Sequence, residues 1–261
     1  MLLSLLITLI VAASILYIYL DKQLPDVDEL KSVQLPIPMR IYTSDGQAIA
    51  EFGELHRNLV KLNEVPNLMV KAFLATEDQR FLEHHGVDFY GLLRAATEVL
   101  LTGSKVQGGS TITMQVARNF YLSREKTFLR KFTEILLSLK IEREFTKEQI
   151  LELYLNEIFF GLNAYGIAGA ALTYYDKSVN ELTISEAAYL AALPKGPSNY
   201  HPFRQTERAL VRRNYVIDQM LENKYITAEE SVEAKKQPLD VHPRSATANL
   251  FASEYFTEEV R

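Results

Sequence analysis

A mainly α-helical fold is predicted from three observations. After Pro66 the apolar residues recur at helical spacing, and the capping boxes Thr146 to Gln149, Thr183 to Glu186 and Thr227 to Glu230 mark helix starts. A strand-turn-strand pattern occurs convincingly once, in residues 39–52. The chain opens with an uncharged run of 19 residues, Leu2 to Leu20, which as a helix would reach about 28 Å, enough for one bilayer crossing.

Taken in order, residues 1–20 are expected to form an uncleaved transmembrane helix. No basic residue precedes the apolar run, and Ala12-Ala13-Ser14 lies in its middle rather than at a cleavage end. Residues 21–38 carry three prolines and several charges without helical periodicity, and read as an extended linker. In the hairpin of residues 39–52, Arg40 to Thr43 and Ala48 to Phe52 flank the turn signal Ser44-Asp45-Gly46. The hairpin leads into a domain spanning 39–237. There Pro66 opens an apolar helix containing Leu68, Met69, Val70, Ala72, Phe73 and Leu74. Gly103, Gly161 and Pro194 read as helix stops, and Gly166, Gly169, Ala170 and Ala171 as a helix packed closely in the core. The polar, double-glycine stretch Ser104 to Gly109 reads as a mobile loop. Residues 238–261 lose periodicity and read as the start of a linker or further domain, cut short.

Composition narrows the function. Net charge is −5, so no global basic field exists for nucleic acid, and an anion site must be a local cluster of Arg and Lys. The absence of cysteine excludes disulfides, thiol nucleophiles and Cys-bound zinc. His84-His85 lacks the spacing of a helical zinc pair, and no motif for a metal or an organic cofactor is present.

The candidate chemistry lies in separated blocks. Glu77 and Asp78 end the apolar helix opened by Pro66, where burial and the negative end of the dipole would raise a carboxylate's pKa and suit it to general-base work. The same pair also reads as a solvated helix end. Gly108-Gly109-Ser110-Thr111 precedes a helix whose free N–H groups can face an anion, or be satisfied by a Ser/Thr cap. On that helix Thr111, Gln115 and Arg118 share a polar face, with Asn119 beside it, while Ile112, Val116 and Phe120 form an apolar one. Arg130 and Lys131 stand four and three residues before Glu134, the spacing of helix salt bridges.

In this order the blocks resemble the peptidoglycan glycosyltransferase (transglycosylase) domain of class A penicillin-binding proteins and of monofunctional transglycosylases. The likeness covers roughly residues 40 to 235. Glu77, Asp78, Phe81, His84 and Gly86 match the first block, E-D-x-x-F-x-x-H-x-G. Asn156, Glu157 and Gly161 match the fourth, and Lys195 in Leu-Pro-Lys-Gly-Pro-Ser the fifth. Met114 departs from the family's Gln, and Arg118 from its usual Lys.

The resemblance implies a lysozyme-like, two-lobed helical domain that polymerises lipid II by inverting glycosyl transfer, releasing undecaprenyl pyrophosphate. It assigns Glu77 as catalytic base and Glu134 as the second essential carboxylate. Asp78, Ser110, Thr111, Gln115, Arg118, Asn119, Arg130, Lys131 and Lys195 would bind substrate. Mg²⁺ or Mn²⁺ would be the only cofactor, bridging pyrophosphate and Glu134. Partners would be lipid II, the growing glycan strand, the membrane and other cell-wall synthesis proteins, with no nucleic acid. The catalytic domain would lie outside the bacterial cytoplasmic (inner) membrane on a single-pass anchor. His84, Asn156 and Glu157 would brace the site. The rivals are a non-catalytic, membrane-anchored cell-wall scaffold, which needs none of these charges together, and a lysozyme-like hydrolase, which leaves Arg118, Arg130 and Lys131 without a task.

Overall fold

The computed structural model describes residues 24–242 except 34, 37–38, 43, 46–47, 53–55, 103–108, 124 and 126. The expected membrane helix, nearly all of the Ser104 to Gly109 loop, and the chain beyond His242 lie outside the described residues. Among the described residues no helix is long and apolar enough to cross a membrane.

The helices are α1 Asn67–Glu77, α2 Phe89–Thr102, α3 Ile112–Tyr121, α4 Phe128–Glu144, α5 Lys147–Glu157, α6 Ile167–Tyr175, α7 Ile184–Ala192, α8 Thr206–Glu222 and α9 Ala228–Lys236. The strands are β1 Met39–Tyr42, β2 Ala48–Phe52, β3 His56–Arg57, β4 Phe159–Gly161 and β5 Ala164–Tyr165. All three predicted capping boxes form. Thr183 and Thr227 each accept from the N–H three residues on, while Glu186 and Glu230 reach back, and Thr146 and Gln149 exchange the same pair of bonds. The described residues are thus mainly helical.

The predicted hairpin is present as the antiparallel pair β1–β2, with Met39 opposite Phe52. A second sheet, ordered β3–β5–β4, was not expected. Its strands are too short to show alternation. Leu162 and Asn163, with φ of 49° and 57°, form the two-residue connection between β4 and β5, the left-handed backbone that a tight hairpin needs. Gly161, read above as a helix stop, lies in β4 at φ +86°, and the helix before it ends at Glu157. The stretch read as an extended linker also contains a 3-10 helix, Val27–Ser32, which buries Val27 and Leu30 and is capped by the Asp26 side chain.

The chain divides into two compact units. In the first, residues 24–33 and 82–150, α3 packs on α4, and the 3-10 helix also lies on α4. Tyr121 Oη donates to the Asp26 carbonyl at 3.1 Å, and Lys140 Nζ to that of Pro25 at 3.2 Å, fastening the segment. Burial, then the acids Glu29, Asp26 and Asp28, push the Tyr121 hydroxyl up to about 12. In the second unit, residues 35–81 and 151–242, α1 packs against α7 and α8, and α9 closes on both. Phe73 of α1 meets the rings of Tyr154 and Phe160 edge-on, at 5.9 and 6.0 Å. Gly169, Ala170 and Ala171 are buried in α6, as their small size predicts.

Candidate active site

Two of the sequence blocks and helix α4 meet at one glycine in the first unit. Gly86 has φ +87°, and a Cβ there would lie 2.7 Å from the Ser138 carbonyl oxygen on α4, so only glycine fits. Its own carbonyl accepts from Thr111 Oγ1 at 2.6 Å. The same hydroxyl accepts from the Met114 N–H at 3.1 Å, capping α3. Thr111 therefore spends its side chain on the scaffold. Gln115 is buried as well, and Arg118 and Asn119 are what remains of the expected polar face toward solvent. Arg118 is half-buried in the last turn of α3, and among the described residues its guanidinium forms no hydrogen bond or ion pair.

Glu134 is 1% exposed, so its two cations do more than decorate a solvated helix. Arg130 Nη1 lies 2.7 Å from one carboxylate oxygen and Lys131 Nζ 2.5 Å from the other. Lys131 also donates to Ser110 Oγ at 2.9 Å and approaches Met114 Sδ at 3.8 Å. A methionine sulfur thus contacts the lysine, and all three ammonium hydrogens have acceptors. Behind this cluster, Glu142 accepts from Thr113 Oγ1 at 2.5 Å and from Lys147 at 2.8 Å, while Lys147 also holds the His84 carbonyl at 2.7 Å. A divalent ion on Glu134 would have to sit beside Arg130 and Lys131, whose positive charges oppose it. Among the described residues no group of three His, Cys, Asp or Glu is arranged to hold a metal. The residues present do not fit a bridging Mg²⁺ at Glu134.

The second unit carries Glu77, Asp78 and Lys195. Glu77 is the last residue of α1 and half-buried; Asp78 caps the helix, is buried, and donates its N–H to the Leu74 carbonyl at 3.2 Å. Gln79 then ties the segment to α8, donating to Gln219 Oε1 at 2.7 Å. Lys195 is solvent-exposed on the turn after α7. Neighbouring protein strips part of its hydration and lowers its pKa; the Arg212 charge adds to that, and the Glu77 carboxylate opposes it.

Asn156 and Glu157 brace this unit. The Asn156 amide accepts from the Val60 N–H at 2.9 Å and donates to the Val60 carbonyl at 2.8 Å, mimicking a strand partner. Glu157 pairs with Arg57 at 2.9 Å, and Arg57 stacks on Tyr165 at 5.0 Å. Burial raises the Glu157 pKa, with Arg57 working in the opposite direction. Gly166, at φ +71°, keeps α6 close: a Cβ would meet the Asn156 carbonyl at 2.8 Å. Arg212, whose charge acts on Lys195, was not singled out in the sequence.

The model of the family described as transglycosylase matches residues 45–221. The chain belongs to the transglycosylase family. Penicillin-binding protein 1A of Escherichia coli (strain K12) is 48% identical over 246 residues, 94% of this chain and 29% of that protein. The same-named protein of Haemophilus influenzae is 46% identical over 260 residues, 100% of this chain and 29% of that one. A crystal structure of the Haemophilus influenzae protein matches with a TM-score of 0.50 and 34% identity, over 88% of this chain and 24% of that chain. This transglycosylase chain thus spans less than a third of the length of those relatives.

Proposed function

We propose that this transglycosylase is a peptidoglycan glycosyltransferase that polymerises lipid II, inverting the anomeric carbon and releasing undecaprenyl pyrophosphate. The observation that carries the reading is the contrast between its two carboxylates. Glu134 is enclosed with a cation on each oxygen, so both oxygens are engaged and its role is electrostatic. That leaves the base to Glu77, half-buried at a helix end beside Lys195. Glu77 takes the proton of the acceptor sugar's 4-hydroxyl, whose oxygen attacks the donor's anomeric carbon as the bond to pyrophosphate breaks. Arg118 is the cation most available to the departing diphosphate, because Lys131 has already engaged all its protons.

A lipid-borne substrate also agrees with the surface of α2. Phe89, Leu93 and Leu100 lie on one helix face and are each at least 65% exposed, apolar area that water does not favour. The reading includes a lysozyme-like two-lobed domain, a single-pass anchor from residues 1–20 in the bacterial inner membrane, and catalysis on the extracytoplasmic side. Lipid II, the growing strand and other cell-wall synthesis proteins are its partners. Incubating the chain with lipid II in detergent decides the matter. Glycan polymer and free undecaprenyl pyrophosphate are expected, whereas shortening of preformed glycan would favour a hydrolase and no turnover a scaffold.

A further inference from the structure

Two neighbouring arginines on α8 have opposite surroundings. Arg213 is buried and well served: it donates to Asn214 Oδ1, Ser185 Oγ and the carbonyls of Lys235, Gln237 and Pro238. Arg212 is 9% exposed, yet among the described residues its guanidinium forms no hydrogen bond and no ion pair, and its Nε is enclosed without an acceptor. Two rings hold it in place, Tyr215 at 4.6 Å and Tyr200 at 6.0 Å from the guanidinium carbon. Tyrosine faces stabilise the charge but offer the N–H groups no lone pairs in their plane. An Nε–H enclosed without an acceptor is unfavourable, and the terminal N–H groups, which are not enclosed, are free to meet an acceptor from outside the chain.

The surroundings indicate which acceptor. Tyr200 ends the turn that carries Lys195. That turn is fixed by the Asn199 N–H on the Gly196 carbonyl at 2.9 Å and by Tyr189 Oη on the Tyr200 carbonyl at 2.8 Å. Lys195 likewise has no ion pair among the described residues. Gln219 lies two turns along α8 from Arg212, hence on the same face, and is bonded to Gln79, two residues beyond Glu77. Lys195 feels the charges of both Arg212 and Glu77, so a buried cation and an exposed one stand near the Glu77 end of α1, and neither forms an ion pair among the described residues.

We infer that Arg212 and Lys195 form an oxyanion-binding subsite in the unit that carries Glu77, receiving a phosphate or carboxylate oxygen of the substrate whose hydroxyl Glu77 deprotonates. This rests on the reading of Glu77 given above. Arg212 supplies a rigid, stacked fork at the base and Lys195 a mobile charge at the rim.

The test uses the whole chain and two probes: inorganic diphosphate, and an N-acetylated dipeptide ending in glutamate. Each is titrated by calorimetry at low salt into the parent, Arg212→Met, Arg212→Lys and Lys236→Gln. At least one probe should bind the parent and Lys236→Gln alike, since Lys236 is an exposed cation on α9 paired with Glu233. Arg212→Met should weaken that binding about tenfold or more, as expected for hydrogen bonds to a charged group, and Arg212→Lys, which keeps the charge but not the stacked fork, should fall between Arg212→Met and the parent. Dependence seen with diphosphate assigns the subsite to the pyrophosphate link, and with the peptide to a stem carboxylate. Should Arg212→Met fail to fold, the Lys195 side-chain NMR signal of the parent replaces it and must move on titration. Equal binding by Arg212→Met and parent, no binding by the parent, or an unmoved Lys195 signal overturns the subsite. Polymerisation is not part of this readout: a chain that binds through Arg212 yet makes no glycan defeats the glycosyltransfer reading and leaves the subsite standing.

Discussion

Lys131 donates to Glu134 at 2.5 Å from three residues earlier on α4, while Arg130 takes the other carboxylate oxygen at 2.7 Å. On an exposed helix such pairs contribute a few tenths of a kcal/mol. Here the carboxylate is buried, so removing its charge strands two cations. Glu134→Gln should lower stability by roughly 2–4 kcal/mol, near the range for breaking a buried pair, and lower turnover as well. Chemical denaturation checks it, and an unchanged midpoint would show that the cluster is solvated in practice.

Glu77 sits at a helix end, and its substitution should spare the fold. Glu77→Gln keeps shape and removes the basic lone pair, so lipid II polymerisation should fall about 10²-fold or more with little change in melting temperature. Activity within about tenfold of the parent, ~1.4 kcal/mol on the barrier, would remove Glu77 from the base role.

For Arg118 the essential property is positive charge. Arg118→Lys should stay active, whereas Arg118→Gln should lose about 10²-fold, the scale for removing one preorganised stabiliser. Because the guanidinium has no partner among the described residues, neither change should shift stability by more than about 1 kcal/mol. Equal rates for the two variants would exclude Arg118 from the leaving-group site.

Lys195 gives a pH dependence with a definite sign. Partial burial and then the Arg212 charge lower its pKa, and Glu77 acts against them, so it loses its proton below the ordinary lysine value of 10.5. If its charge holds substrate, the apparent KM should rise on the alkaline side before pH 10.5. Lys195→Arg, which does not deprotonate there, should remove that limb. A parent profile and a Lys195→Arg profile that coincide would show that the Lys195 charge is not used.

Much of the helical framework was legible because its signals are local. Thr146, Thr183 and Thr227 announce helix starts through side chains that bond to N–H groups three residues on, whatever the rest of the chain does. The salt-bridge spacing of Arg130 and Lys131 with Glu134 was equally visible. Its burial was not, because spacing along a helix says nothing about what covers it. The β3–β5–β4 sheet was hidden for a related reason: strands of two or three residues carry no periodicity, and β3 finds β5 more than a hundred residues away.

By itself, then, the sequence determined the mainly helical class, the hairpin of residues 39–52, the cap positions and the order of the chemical blocks, all set by side chains acting on their own few neighbours. Tertiary structure alone decided that Thr111 serves Gly86 rather than an open anion site, that Met114 lends its sulfur to Lys131, and that Arg213 is satisfied while Arg212 is not. Those outcomes depend on which carbonyls, rings and carboxylates distant segments bring within about 3 to 6 Å, the reach of a hydrogen bond or a ring face, and no residue spacing encodes that.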